Sequence, residues 1–424
     1  MNFLSKENPD RWRHLAWWLC VITLPWIDMA NNISLILLFM LSLTGGNLKE
    51  RLLRIKSAKW AWPFFIYYAM LLVGMTYTAD IDNGFFTLDK KITFVVLPLI
   101  AIVGKQLNEE FVSLLKRNFV YSCTGVIFLC LTLATVSFIS GGSPENFDFR
   151  SSSEYNDLHP NASSFWMHFS YIQLAQWAGL HPAYFSMYLV FCLTILFTEK
   201  YSSRKEQTFH LLLSLIICCF IAMLSARMAI IVFIFSAFYL IVKKIQAKQL
   251  AGSFTIFVAM VTLGFLLSFN PVTRFRLIEE PLKTKYVADT SVTDWNSVSY
   301  RLLEWQGTWG IIQHHLFFGI GTSGWKIAMD NFYSRYNSST VGLVHNSHNQ
   351  FLQTWMENGI LALIAFLVCI FGSVFRPNVE PSYVAFILIF SLMCLTESIG
   401  ERQKGIVFFT LFQTLFLAFE NKSK

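Results

Sequence analysis

Residues 342–363 read GLVHNSHNQFLQTWMENGILAL, in which His345 and His348 stand among amide side chains at the head of an apolar run. A histidine so placed can take a proton from a hydroxyl, because imidazole titrates near neutral pH. If a helix begins near Ser347, then His348, Leu352, Trp355, Gly359 and Ala362 fall on one face, at offsets of 0, 4, 7, 11 and 14. Gly359 and Ala362 would let a neighbouring helix approach closely below the histidine. His348 would sit in the first turn, where the positive helix end disfavours imidazolium and keeps the ring a base. The plain alternative is a histidine that only caps the helix or sits at an interface.

A second group of residues suits an anion. Arg227 lies in the short stretch LSARMA between two apolar runs, Arg301 is the second residue of YRLLEWQ, and Lys90 and Lys91 begin another apolar run, with Arg402 and Lys404 near the last one. Arginine is apt for phosphate because its planar fork binds two oxygens at once and stays charged in a partly dry site. Arg227 has little freedom to leave a hairpin with almost no loop, so a functional reading is natural for it. For Lys283, Lys285 and Arg335 the bland reading is preferred, a solvated or snorkelling charge. Acidic and polar residues occur at the same level, namely Asp28, Asn31, Asn32, Glu397 and Glu401, and these could simply neutralise the cations.

The elements that must position these groups follow from composition. With 54% hydrophobic and 14% charged residues, the 424-residue chain is too apolar for a soluble domain. About twelve runs are apolar enough to span a bilayer: 15–29, 32–46, 58–77, 90–104, 119–140, 180–198, 207–224, 227–242, 252–270, 350–374, 380–397 and 405–420. The expected fold is therefore all-α, a polytopic membrane protein. Placing the N-terminus in the cytoplasm puts most of the 33 basic residues on that side, and both termini with them. The cations named above are then the exceptions, gathered at the outer boundary.

Three parts are expected: an N-terminal bundle over 1–270 with about nine spans and an outer loop at 141–179, a large outer loop at 271–349, and about three spans in 350–424. Within the large loop, 296–315 has Val298, Leu302, Trp305, Trp309 and Ile312 at helical spacing, with Asn296 or Ser297 as N-cap. It reads as an amphipathic helix on or near the bilayer. A break at Gly319-Ile320-Gly321 precedes a second helical stretch near 324–335. No small-residue cleavage site follows the first apolar run, which is expected to remain as an anchor. All eight cysteines fall in expected spans, so no disulfide framework is expected. No Walker loop or dinucleotide fingerprint occurs and the lone GIG is too short to hold a nucleotide, so neither a cofactor, a metal nor a nucleic acid is expected.

On these residues the chain resembles the bacterial O-antigen ligases and the related polysaccharide polymerases. Their signature is His, then Asn, Ser or Gln, nine residues, Gly, two residues, then Gly, Thr or Tyr. Here His348 and Asn349 are followed by nine residues and Gly359, with Ala362 at the last place, a small residue that departs from the pattern. His345 is followed by Asn346, but the same count from there ends at Trp355 and Met356, so the spacing selects His348. The SAR hairpin with Arg227 and the stretch YRLLEWQGTWGIIQHHLFFGIGTSGW are similar to the family's Arg-led loop helix followed by GxG.

The resemblance implies an inverting, metal-independent glycosyl transfer at the periplasmic face of the bacterial inner membrane. The donor it implies is a glycan on undecaprenyl pyrophosphate, and the acceptor a hydroxyl of lipid A-core. It assigns Arg227 and Arg301 to the donor pyrophosphate and His348 to the acceptor side. Lys91 is a further donor-binding candidate, with His345, Asn349 and Gly359 as support. A polymerase would use the same donor with another glycan as acceptor. A secondary transporter is the rival from a different class, but transporters place polar breaks near the midplane in matched halves, and no matched halves are evident. A purely structural anchor would not need Arg227 in a tight hairpin.

Overall fold

The computed structural model describes residues 10–44, 48–104, 107–141, 164–199, 203–283, 297–334 and 346–420. Among them it is all-helical, with no strand. This is what an apolar solvent requires, because a helix satisfies its backbone hydrogen bonds within one segment. Each of the twelve apolar runs holds a helix, from Arg11–Thr23 to Gln403–Glu420.

Among the described residues, five helices are long and apolar enough to cross a membrane: Glu109–Ile139, Arg204–Leu224, Arg227–Gln246, Leu250–Phe269 and Gln350–Phe371. A sixth is formed if Tyr171–Ala178 and Pro182–Thr198, bent by 77°, make one broken span. Other expected runs hold shorter helices. Asp28–Leu43 has 16 residues and Pro381–Cys394 has 14. At 1.5 Å per residue these reach roughly 21–24 Å, less than the roughly 30 Å of a hydrocarbon core. The chain is a multi-pass membrane protein with five or six candidate spans by this measure.

The helix Pro182–Thr198 is the centre of the bundle, with every residue from Pro182 to Phe197 buried. Aromatic pairs tie it to three neighbours. Phe191 meets Phe412 of Gln403–Glu420 at 4.7 Å and Phe386 of Pro381–Cys394 at 5.1 Å, and Tyr188 meets Phe119 of Glu109–Ile139 at 5.7 Å. Such ring pairs add to the area they bury. The helices Glu109–Ile139, Pro182–Thr198, Pro381–Cys394 and Gln403–Glu420 thereby form one block that fixes the turn at residues 395–402. Lys404, near the start of the last helix, is buried and bonds the carbonyls of Leu24 and Trp26 and the carboxylate of Asp28. A cation on the last carbonyls of a helix is favourable, and this one ties Arg11–Thr23 to the block.

The sequence around His348 folds differently from the expected continuous helix. The helix starts at Gln350, and Asn349 is its N-cap, its Oδ1 accepting from the amides of Phe351 at 3.0 Å and Leu352 at 3.1 Å. His348 therefore precedes the helix, with φ +43, instead of lying in its first turn. Asn346, Ser347 and Asn349 could each have capped this helix, and the backbone selects the last.

Gly359 is not a small residue on an unbroken face. It has φ +78 and ψ −178, a break inside Gln350–Phe371. The break frees the carbonyls of Met356 and Glu357, which accept from the amides of Ile320 at 3.0 Å and Gly321 at 2.8 Å, while Ile360 donates to Leu316 O at 3.0 Å. The close neighbour is thus a loop and not a helix. A Cβ on Gly359 would stand 1.9 Å from Phe317 O, and one on Gly319 2.4 Å from Glu357 O, so neither position admits another residue without rearrangement. The GIG stretch is a backbone clip on the kinked helix.

The helix expected over 296–315 is present as Ser297–His314, and Asn296 lies outside the described residues. Its Leu303, Ile311 and Ile312 pack with Met329, Tyr333 and Met356 in a small separate core. The second loop helix is Trp325–Ser334. The eight cysteines are free thiols.

Candidate functional site

Three elements converge at the turn over residues 395–402. The helix Pro381–Cys394 ends three residues before Glu397, which leaves that carboxylate in the turn and outside the helix. Its Oε1 accepts from Arg301 Nη2 at 2.7 Å and its Oε2 faces His348 Nδ1 at 3.3 Å. Arg301 also donates from Nε to the carbonyl of Thr396 at 3.3 Å. One carboxylate therefore holds the two residues that the sequence assigned to donor and acceptor, which lie 47 positions apart in the chain.

The backbone fixes His348 tightly for a residue outside a helix. Its amide donates to Asn346 Oδ1 at 3.1 Å, Ser347 N donates to Gln353 Oε1 at 3.0 Å, and Ser347 Oγ donates to Asn349 O at 2.8 Å. Asn349 acts through the cap, which sets where the helix begins and so where His348 projects. His345 lies outside the described residues.

Burial pushes the Glu397 carboxyl up, but the His348 hydrogen bond and the charges of Arg301, His348 and His181 outweigh it and hold it down at about 2. An ionised carboxylate only accepts, so the ring nitrogen facing it carries the proton. That leaves the lone pair of the neutral ring on Nε2, the nitrogen away from Glu397. The same carboxylate makes a testable contribution to stability. Because its folded-state value lies below the ordinary 4.5, it stabilises the fold above about pH 4.5, and that contribution is lost as pH falls toward about 2. The Tm difference between wild type and Glu397→Gln in detergent is therefore expected to be largest at neutral pH and to shrink through that window. A difference that stays constant from about pH 7 to about pH 3 would remove the ion pairs as its source.

Arg227 opens the helix Arg227–Gln246, two residues after Ser225, which ends Arg204–Leu224 in the left-handed conformation at φ +51. Ser225 Oγ meets Thr273 Oγ1 at 2.5 Å, which pins the hairpin to the start of the large loop. The Arg227 guanidinium bonds Glu280, whose side chain is 1% exposed. Arg276 lies over the Tyr171 ring at 3.5 Å and donates to Ser225 O at 3.4 Å. Arg227 is within electrostatic reach of both Arg276 and Arg301. The structure thus brings Arg227, Arg276 and Arg301 to one side of the molecule, with Glu280 and Glu397 as counter-ions.

Lys91 belongs to a different cluster. Its side chain is 1% exposed and pairs with Glu401 Oε1 at 2.6 Å. Gln350 Nε2 donates to the same oxygen at 3.2 Å, and Gly400 N donates to Gln350 Oε1 at 2.6 Å. Lys91 therefore braces the first turn of the helix after His348 against the turn at residues 395–402. The acidic residues read from sequence as neutralising partners do take that place: Glu397 with Arg301, Glu401 with Lys91, and Asp28 with Lys404. Glu280 was not singled out from sequence, and nothing in its local pattern marks it.

The arrangement offers a lone pair next to a group of cations, at the end of a membrane bundle. No curated protein matches the chain at a significant level. Residues 212–367 run from the Arg227 hairpin through Arg301 to the kinked helix after His348, and this stretch matches the family model described as O-antigen ligase.

Proposed function

We propose that the protein is a membrane glycosyltransferase of the O-antigen ligase type, which moves a glycan from undecaprenyl pyrophosphate to a sugar hydroxyl of lipid A-core at the periplasmic face of the inner membrane. The observation that carries this reading is Glu397, which holds His348 and Arg301 together. The family match supports ligase or polymerase chemistry in general.

In the proposed reaction the acceptor hydroxyl oxygen attacks the anomeric carbon of the donor sugar from the face opposite the phosphate. The bond from that carbon to the pyrophosphate oxygen breaks, and its electron pair leaves with the pyrophosphate, which inverts the configuration. His348 Nε2 takes the hydroxyl proton, and Glu397 stabilises the imidazolium that forms. Arg301 and Arg227 offset the charge that grows on the leaving pyrophosphate, a role that a metal ion fills in other enzymes. Twelve spans, with residues 271–349 as the periplasmic loop between an N-terminal bundle and the last three spans, complete the reading.

The test is acceptor choice in proteoliposomes that hold the purified protein and a labelled undecaprenyl-pyrophosphate-linked glycan. Label is expected on lipid A-core. Label on a second lipid-linked glycan would make the protein a polymerase with the same site. Label that crosses the bilayer without entering any new covalent product would make it a transporter and sink the proposal.

A further inference from the structure

The helix Pro182–Thr198 begins with a histidine that the family spacing does not touch. His181 is its N-cap, with Nδ1 accepting from the amide of Ala183 at 3.3 Å. A ring nitrogen that accepts from a backbone amide keeps its lone pair there, so the proton of the neutral imidazole sits on Nε2. The helix N-terminus also opposes a second proton on Nδ1. His181 is thereby fixed as a neutral ring that donates from Nε2. Because the helix behind it is buried from Pro182 to Phe197, its position is rigid.

The ring is set at the site. It lies 6.2 Å from the Tyr184 ring, and the Tyr184 hydroxyl donates at 3.4 Å to the carbonyl of Ser398, the residue after Glu397. It also lies 6.4 Å from the Tyr171 ring, over which Arg276 stands at 3.5 Å; it is exposed, and it is within electrostatic reach of Glu397, His348, Arg301 and Arg402. His181 and His348 hold opposite tautomers. His348 gives its Nδ1 proton to Glu397 and keeps a lone pair on Nε2, whereas His181 takes the Ala183 proton on Nδ1 and keeps a donor on Nε2.

We infer that His181 is a substrate-contacting residue whose Nε2–H bonds to an oxygen of the donor pyrophosphate. A neutral donor is useful among arginines because it adds a hydrogen bond without adding repulsion between cations. Its bond strengthens as the glycosyl bond breaks and negative charge collects on that oxygen, so it acts mainly on turnover. The inference rests on the glycosyl-transfer reading above.

Two substitutions separate this role from that of a cap. In His181→Asn the short amide can still cap the helix, since Asn is among the favoured N-cap residues, but nothing reaches the position of Nε2. In His181→Gln the longer amide can place an N–H near that position while capping poorly. Turnover at saturating donor, donor affinity and Tm are compared with wild type in the same proteoliposomes. His181→Asn is expected to keep the wild-type Tm and to lose roughly 100-fold or more in turnover, the usual cost of removing one such donor, with donor affinity changed much less. His181→Gln is expected to have the lower Tm and the higher turnover of the two. If His181→Asn turns over like wild type, or if turnover follows Tm so that Asn exceeds Gln, His181 is a cap alone and the inference is overturned. Wild-type protein that forms no glycoside from this donor would instead remove the glycosyl-transfer reading itself.

Discussion

His348→Ala is expected to lower turnover by roughly 100- to 10,000-fold, the usual contribution of a general base, while leaving donor affinity nearly unchanged. The separation follows from geometry. Nδ1 is engaged by Glu397, and Arg301 is held by the other oxygen of the same carboxylate, so removing the imidazole takes away the proton acceptor without removing a cation. The residue has φ +43, a conformation that side chains with a Cβ seldom adopt but that Asn tolerates better than most. His348→Asn therefore serves as a second variant that keeps the turn. Both are expected to stay folded, to bind the lipid-linked glycan, and to form product slowly. Product formation at saturating donor and equilibrium donor binding are the two measurements. Near-normal turnover in either variant, or a defect that consists only of lost folded protein, would return His348 to the role of a polar residue at a helix start.

What the sequence disclosed of this site, and what it withheld, divides along the range of the interactions. The apolar runs were legible because lipid imposes one rule on every backbone group, and each run holds a helix. The counterpart of the spaced motif is local: His348, Asn349 and Gly359 lie within 12 positions, and their order was enough to choose His348 over His345. Helix start was misplaced because Asn346, Ser347 and Asn349 are all competent caps, and only backbone geometry decides among them. Gly359 was read as small when its use is a left-handed φ and a docking surface for residues 316–321, a fact about a loop about 40 positions away. Glu397 stood out as a carboxylate at the outer boundary, yet its two partners lie 96 and 49 residues earlier, and no periodicity carries that information. His181 had a signal that went unread, a polar residue immediately before a proline at the head of an apolar run, which is the pattern of an N-cap followed by Pro at the first helical position.

The arginines give the second large expected effect and the harder one to interpret, because each is already paired in the structure. Arg301→Ala and Arg227→Ala are each expected to reduce transfer at limiting donor by roughly 100- to 1,000-fold, the scale for losing one preorganised charged donor at a developing anion. Lys at either position is expected to rescue only in part, since an ammonium lacks the planar fork. A loss in the alanine variant alone does not distinguish a phosphate contact from a structural one. Removing Arg227 also takes an ion-pair partner from Glu280, whose side chain is 1% exposed, and weakening the compensation of a buried carboxylate is destabilising. The double variant Arg227→Ala, Glu280→Gln resolves this, because it removes both charges of the pair together. If Arg227 serves only as the counter-ion of Glu280, the double variant recovers both Tm and transfer. If Arg227 holds the donor pyrophosphate, the double variant recovers Tm and remains as slow as Arg227→Ala, and the coupling between the two positions appears in stability but not in rate. Recovery of transfer would therefore remove Arg227 from the donor site, leaving Arg301 with the charge compensation that the reaction demands.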